Sequence, residues 1–296
     1  MVGHTKDFWL ATLAEANYAG GLAGIAYAET QPTAIGELTA QNYLFNENFA
    51  FPQVEYIQEK IKAASQDIAT VATATKDYKV RPGKLKHYVC NSTWIDRAIA
   101  GTGGVLPASW ATVFHDMQRL RFAPGCYVQE YKFHTKGGEF PSEEITYGAY
   151  NVKACTYAGA RVECTLTGLK THKDFTFTIG GTAIADMKEA TLTIKKKFIV
   201  DDEKAATSLY HKFPYLEEFE EITLEVEHTD YPAYLLDLET EAATMRVVTI
   251  AGWGKTLTLA NMKAQNEAID LSIPEKGVKR YKATLEMGGA VAPATA

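Results

Sequence analysis

The chain has 296 residues, with 30 Lys and Arg against 36 Asp and Glu, and a formal net charge of -6. This mild acidity excludes a globally basic nucleic-acid binder, since such proteins carry cationic surfaces that neutralise phosphates. Hydrophobic residues make up 46% of the sequence, which is too many for a disordered chain. Four Cys are too few for a disulfide-built scaffold, and no run of about 18 apolar residues predicts a membrane-spanning helix.

The first 40 residues predict an arm rather than a signal peptide. Residues 8–27 are rich in apolar side chains, but Glu15 and Asn17 interrupt them and no basic leader precedes them. We therefore expect an arm or short helix that docks on a neighbouring surface. At the other end, the small residues of 290–296 predict a flexible tail.

Alternating apolar and polar residues dominate the second half of the chain. Segments 222–228, 256–260 and 280–287 each place an apolar side chain at every second position. This period is typical of antiparallel strands that bury one face. We therefore predict a mainly β protein, an antiparallel β-sandwich or barrel with short flanking helices.

Two short helices interrupt the predicted strands. Thr93 can cap the first helix, which begins at Trp94, and the second begins at about Tyr231. Apolar residues at helical spacing give each helix a face that packs on the core. The predicted core anchors are Trp94 and Ile99 in the first helix and Tyr231 and Leu235 in the second.

The order of strand and then helix occurs twice along the chain. Aligning the two halves places Val89 on Val226 and Trp94 on Tyr231. This indicates a tandem duplication of one strand–strand–helix unit. Chance similarity between two β-rich halves is the alternative.

One hairpin places two cysteines opposite each other. Residues 151–168 are centred on Gly159-Ala160, a pair that suits a type II′ turn. Counting outward puts Cys155 opposite Cys164 at a non-hydrogen-bonded position, where a disulfide is sterically possible although the Cα separation is short. A reduced apolar pair is the alternative, and it is the one expected of a protein made in the cytoplasm.

The search for catalytic motifs finds none. Gly254-Lys255-Thr256 is similar to the end of a phosphate-binding loop, but Thr249 stands where that loop requires Gly. The seven His residues show no metal-ligand spacing with one another or with Cys. Glu143-Glu144 is more typical of solvated loop charges than of an acid/base couple. We therefore expect no enzyme activity, no cofactor and no metal.

Charge is distributed unevenly around two predicted strands. Residues 217–241 contain ten acidic residues and no Lys or Arg, whereas Lys195-Lys196-Lys197 lies on a nearby strand. Because successive residues face opposite sides of a strand, at least one of these lysines must leave a purely apolar core surface. In a monomer both segments are solvated faces. In an assembly, opposite charges on different edges could guide one subunit onto the next.

Together these features resemble the tail tube (major tail) proteins of tailed phages and archaeal tailed viruses. The resemblance covers most of residues 43–289 and rests on strand order and helix placement, with no signature motif. Segment 43–52 is similar to the family's opening stretch, although Ala50-Phe51 departs from the small Gly-Thr type expected there. The segments that look like the first tube strand, the following strand, the short helix and the closing strands are 190–198, 221–226, 231–238, 256–260 and 279–288.

The resemblance implies an assembly and a division of the chain. We expect an N-terminal arm at 1–40, tube-like β domains at 41–185 and 186–289, and a tail at 290–296. Three two-domain chains, or six chains if the duplication is false, would close a ring. Rings would stack around the tape measure protein and meet a tail terminator protein. The tube would carry DNA transiently without binding it specifically, in the virion tail, after synthesis in the host cytoplasm and without any membrane.

The resemblance also implies which surfaces join subunits. The candidate inter-subunit barrel strands carry Thr191, Thr193, Lys195 and Lys197 on the first strand and Thr223, Glu225 and Glu227 on the second. We expect ring-to-ring contacts from the arm, from a loop at 123–141 and from the tail. The alternative function is a monomeric β-sandwich binding module or adhesin, for example for carbohydrate. Such a module would expose a cluster of aromatic residues, whereas Trp94, Trp110 and Trp253 are interpreted as core or interface anchors.

Overall fold

The computed structural model describes residues 8–14, 38–40, 50–61, 72–100, 110–116, 120–149, 152–154, 168–199, 215–229, 245–265, 280–288 and 294–296. These residues form seventeen strands, one α-helix and a short 3-10 turn, and every strand pair is antiparallel. The predicted mainly β, antiparallel class is therefore confirmed. The elements are β1 (Phe8–Ala14), β2 (Leu38–Ala40), β3 (Gln53–Ile61), β4 (Ala72–Arg81), β5 (Gly83–Tyr88), α1 (Thr93–Ile99), β6 (Trp110–Asp116), β7 (Leu120–Lys136), β8 (Ser142–Gly148), β9 (Lys153–Ala154), β10 (Thr176–Ile179), β11 (Thr182–Ala183), β12 (Met187–Ile199), β13 (Tyr215–His228), β14 (Arg246–Ala251), β15 (Thr256–Ala264), β16 (Tyr281–Met287) and β17 (Ala294–Thr295).

Fifteen of these strands belong to one hydrogen-bonded sheet. Its main path is β11-β10-β14-β15-β16-β13-β12-β7-β6-β1-β2, with β8 and β9 beside β7, β5 beside β8, and β17 beside β15. Strands β3 and β4 pair with each other as a separate two-stranded ribbon. The bridge between Ala50 and Lys84 continues the ribbon's register toward the main sheet.

Strand β7 connects the two parts of the sheet. Its first half pairs with β6 and β9, and its second half pairs with β8 and β12. A bulge at Pro124-Gly125 lets the strand change partners: Cys126 lies opposite Trp110 and Ala123 opposite Thr112, and Gly125 has a φ of 61°. The predicted loop at 123–141 is therefore wrong, since most of it is this strand. The alternation is hidden there because every residue from Phe122 to Val128 is buried.

The sheet curls so that distant strands share one core. Phe133 of β7 packs on Phe175 and Trp253 with ring centroids 4.8 Å apart in both cases, and Phe175 meets Trp253 at 5.1 Å. Phe175 precedes β10 and Trp253 lies in the turn between β14 and β15. The core thus contains residues of both predicted β domains, and the β7–β12 pairing also joins the two. The domain boundary and the tandem duplication remain predictions.

Helix α1 lies over the core. Its apolar face, including Trp94 and Ile99, is buried. The predicted cap is wrong, because Thr93 is the first helical residue and Ser92 is the N-cap. The Thr93 amide donates to Asn91 Oδ1 over 3.0 Å. The second predicted helix, with Tyr231 and Leu235, and the Cys155–Cys164 pair lie outside the described residues.

Both predicted terminal segments contain strands. Phe8–Ala14 pairs with β6 and β2 as a strand, where an arm or short helix was expected. Ala294–Thr295 pairs with β15, where a flexible tail was expected. In the part of the chain that the structure describes, no helix is both long and apolar enough to cross a membrane.

Candidate assembly surface and a buried carboxylate

The outward side chains of β7, β12, β13 and β16 form one continuous surface, called here the polar face. Strand alternation turns Ala190, Leu192 and Ile194 inward and leaves the residues between them outward. All seven candidate barrel-strand residues lie on this face and are half-buried or exposed: Thr191, Thr193, Lys195, Lys197, Thr223, Glu225 and Glu227.

Strand register aligns the polar face into cross-strand rows. The first row holds Lys136, Glu189, Glu227 and Lys282, the second His134, Thr191, Glu225 and Thr284, and the third Lys132, Thr193, Thr223 and Glu286. His134 Nδ1 lies 3.1 Å from the Thr191 hydroxyl. In the first row Glu189 and Glu227 lie opposite each other, and each has a lysine on its other side, so opposite charges are neighbours at both ends of the row.

The outward lysines of β12 are paired within their own hairpin. Lys195 is bonded to Glu221, and Lys197 Nζ lies 3.0 Å from Glu217 and 3.7 Å from Glu218. The hydrogen bonds to Glu221 and Glu217 raise the pKa of Lys195 and of Lys197, respectively. The prediction that the lysine and acidic blocks lie on different edges is therefore wrong for these residues. The register of β12 on β13 brings them together.

The first row is neutralised in the same way. Lys136 Nζ lies 3.7 Å from Glu189, and Glu227 accepts both Arg280 at 3.1 Å and Lys282 at 3.5 Å. Exposed ion pairs of this kind contribute only about 0–1 kcal/mol each to stability. Their main consequence is electrostatic, because each of these cations already has an anionic partner.

Lys196 faces the opposite way from its neighbours. It is 6% exposed, and Nζ donates to the carbonyl oxygens of Arg97 at 3.1 Å and Ala100 at 2.8 Å. These carbonyls belong to the end of α1, where a helix favours positive charge. Nζ also lies 5.3 Å from the centre of the Phe219 ring. Burial lowers the pKa of Lys196 to about 7. Lys195 and Lys197 thus point away from the core, in agreement with the prediction that at least one lysine would. Lys196 caps the end of α1.

A buried carboxylate lies at the centre of the core. Glu143 is 0% exposed, and its Oε1 accepts hydrogen bonds from Tyr131 Oη at 2.7 Å and Trp253 Nε1 at 2.8 Å. Its Oε2 lies 3.0 Å from His87 Nε2, without the alignment of a hydrogen bond. His87 Nδ1 donates to the carbonyl of Tyr88 over 2.8 Å, since a carbonyl can only accept.

The Glu143 side chain on β8 contacts residues of three other segments: Tyr131 on β7, Trp253 in the turn between β14 and β15, and His87 on β5. Burial, reinforced by the Glu143 charge, raises the pKa of Tyr131 well above its usual range, so its hydroxyl remains a donor. The prediction that Glu143-Glu144 is a solvated loop pair is wrong, because both residues lie on β8 and Glu143 faces inward. A signal was present: Ile145 and Tyr147 continue the same alternation, which assigns Glu143 to the core face.

Neither the polar face nor the Glu143 cluster has the set of side chains that a metal centre requires. Within the described ranges, no group of three or more His, Cys, Asp or Glu could hold a metal ion. On the polar face, Glu189, Glu225, Glu227 and Lys282 line a shallow open groove. The four residues of the carboxylate cluster are all buried in the core.

No family model and no curated protein matches the chain.

Proposed function

We propose that this chain is a virion structural protein that self-assembles into stacked rings and so forms a tail tube for viral DNA. The observation that carries the proposal is the long β12–β13 hairpin. Its strands have 13 and 14 residues, and its outward side chains make up a polar face with β7 and β16. Strands of this length suit the wall of a barrel built from several subunits.

The charge pattern of the polar face suits a lumen. A conduit must let DNA slide, and each unpaired cation that neutralises a phosphate adds affinity. Four lysines of this face, Lys136, Lys195, Lys197 and Lys282, have carboxylates within 4.0 Å. A mixed and largely self-neutralised surface favours passage over retention.

Electron microscopy of the purified chain tests the proposal. In negative stain we expect rings or hollow tubes, with end views that are three-fold if the chain is duplicated and six-fold if it is not. A chain that stays monomeric at high protein concentration would contradict the proposal.

A monomeric binding module is the second candidate function. The observation that favours it is an aromatic pair at the surface: Phe140 is 51% exposed, and its ring lies 5.7 Å from that of the half-buried Tyr88 in an edge-on arrangement. If the chain stays monomeric, a glycan array is the next experiment, and Phe140→Ala should then abolish any binding found.

A further inference from the structure

Strand β15 has two different partners along one of its sides. Its last residues pair with β16 from Met262 onward, whereas its first residues do not. A bulge separates the two halves, since Leu259 lies opposite Val248 and Met262 opposite Arg246. Asn261 sits in this bulge with a φ of 57°. The bulge turns the first half of β15 away from β16 and leaves a strand edge, which is a template for another strand.

The short strand β17 occupies this edge. Ala294 lies opposite Thr258, and Ala296 exchanges two backbone hydrogen bonds of 3.0 Å with Thr256. The Thr295 hydroxyl lies 3.5 Å from Asp96 Oδ1, and Lys255 holds the other oxygen of Asp96 at 2.8 Å. Because its side chains are small, β17 is held mainly by backbone hydrogen bonds.

The number of residues between Gly288 and Ala294 exceeds the number needed to span the distance between their two partners on β15. The Gly288 amide donates to the carbonyl of Asn261, while Ala294 lies opposite Thr258. Three residues of β15 span about 10 Å. The six residue steps from Gly288 to Ala294 can span up to about 20 Å. The register therefore does not require that β17 pair with β15 of its own chain.

We propose that the β15 edge is a strand-acceptor site that takes Ala294–Ala296 of a second copy in the assembled protein. The inference rests on the proposed self-assembly and names one of its contacts. An exchanged segment has the same sequence, so it makes the same hydrogen bonds and the same contact with Asp96. Backbone pairing supplies the affinity, as in other cases of strand addition. If each chain gives its segment to one neighbour and receives the segment of another, the contact is head-to-tail, which is the type that builds rings and filaments.

Cross-linking between two different variants tests the exchange. Thr258 and Ala294 form a hydrogen-bonded pair, because Thr256 and Ala296 do, and the expected Cα separation of about 5.5 Å suits a disulfide. Thr258→Cys and Ala294→Cys chains are mixed in equal amounts, assembled and oxidised. A covalent dimer that contains both peptides, identified by mass spectrometry, can form only between chains.

Two controls are needed. The first measures disulfides that form by random collision between chains, and the second shows whether β17 can pair with β15 of its own chain. Thr193→Cys mixed with Ala294→Cys should give no such dimer, because Thr193 lies on β12 and does not face β17. The double variant Thr258→Cys/Ala294→Cys, oxidised at low protein concentration, should form an intramolecular disulfide that reports β17 on its own chain.

The outcomes distinguish the inference from the proposed function. Tubes that yield the mixed dimer at least tenfold above the Thr193→Cys control support exchange. Tubes without the dimer overturn the exchange and leave the tube standing. A chain that neither assembles nor cross-links overturns both.

Discussion

Trp253 Nε1 donates a 2.8 Å hydrogen bond to Glu143 Oε1 across 110 residues of sequence. The bond joins the turn between β14 and β15 to β8. The same oxygen accepts from Tyr131, and Trp253 also packs on Phe133. A buried carboxylate is costly unless donors surround it, so this cluster fixes how the curled sheet closes on itself.

Replacing Glu143 with Leu should destabilise the fold strongly. The substitution leaves the hydroxyl of Tyr131 and the indole N–H of Trp253 without their acceptor in the core. Leaving a buried neutral donor without its acceptor costs about 1–3 kcal/mol, and this substitution does so for two donors. Urea unfolding measures the free energy. Glu144→Leu is the matched control, since Glu144 faces outward, and it should change stability by no more than about 0.5 kcal/mol. Equal effects of the two variants would contradict the account.

The buried Lys196 predicts a specific pH dependence. Its pKa in the folded protein is about 7, below the value of about 10.4 for a free lysine. Between these values the unfolded chain binds more protons, so the free energy of unfolding rises with pH. The burial penalty is present in full below pH 7 and disappears as the pH approaches about 10.

Unfolding of Lys196→Met across this pH range tests that dependence. The rise from Lys196, at most about 1.4 kcal/mol per pH unit, should be absent in the variant. Lys197→Met is the control, because the pKa of Lys197 is raised by Glu217 and this residue does not titrate in the same window. If wild type and Lys196→Met show parallel pH profiles, the buried ammonium has been assigned wrongly.

Gly252 permits the close approach of Phe175 to the turn that carries Trp253. A Cβ at position 252 would overlap the Phe175 ring, closer than any ordinary contact. Overpacking of this kind costs about 1–3 kcal/mol, so Gly252→Ala should lower Tm and change Trp fluorescence. Gly137→Ala is the control, because the nearest atom to its Cβ would be the Lys188 carbonyl oxygen at 3.8 Å. A variant Gly252→Ala as stable as wild type would show that the turn can move away.

The polar face can be tested as a lumen by adding charge to it. Glu225 is exposed in the second row of the face. Glu225→Lys should make tubes retain short duplex DNA that is present during assembly, and this retention should fall as salt is raised. Glu55→Lys, at an exposed position on the separate β3–β4 ribbon, makes the same charge change away from the polar face and should retain less DNA. Equal retention by the two variants would argue against this face as the lumen.

Alternation along the sequence was sufficient to predict β13, β15 and β16, because each buries only one face, whereas the segment that became β12 was predicted from the resemblance. Alternation failed at β7, where both faces are covered around a Pro-Gly bulge. It also failed to find the partners of Glu143 and Lys196. Both groups are buried against atoms distant in sequence, the Trp253 indole and the end of α1, and a single-strand pattern carries no information about such pairings.

Cryo-electron microscopy of the assembled protein tests the central claim most directly. The account predicts a hollow tube whose inner wall contains β12 and β13, with Thr193 and Thr223 directed toward the lumen. A tube with these residues on its outer surface would contradict the assignment of the polar face. A dispersed monomer at every protein concentration would contradict the proposed function itself.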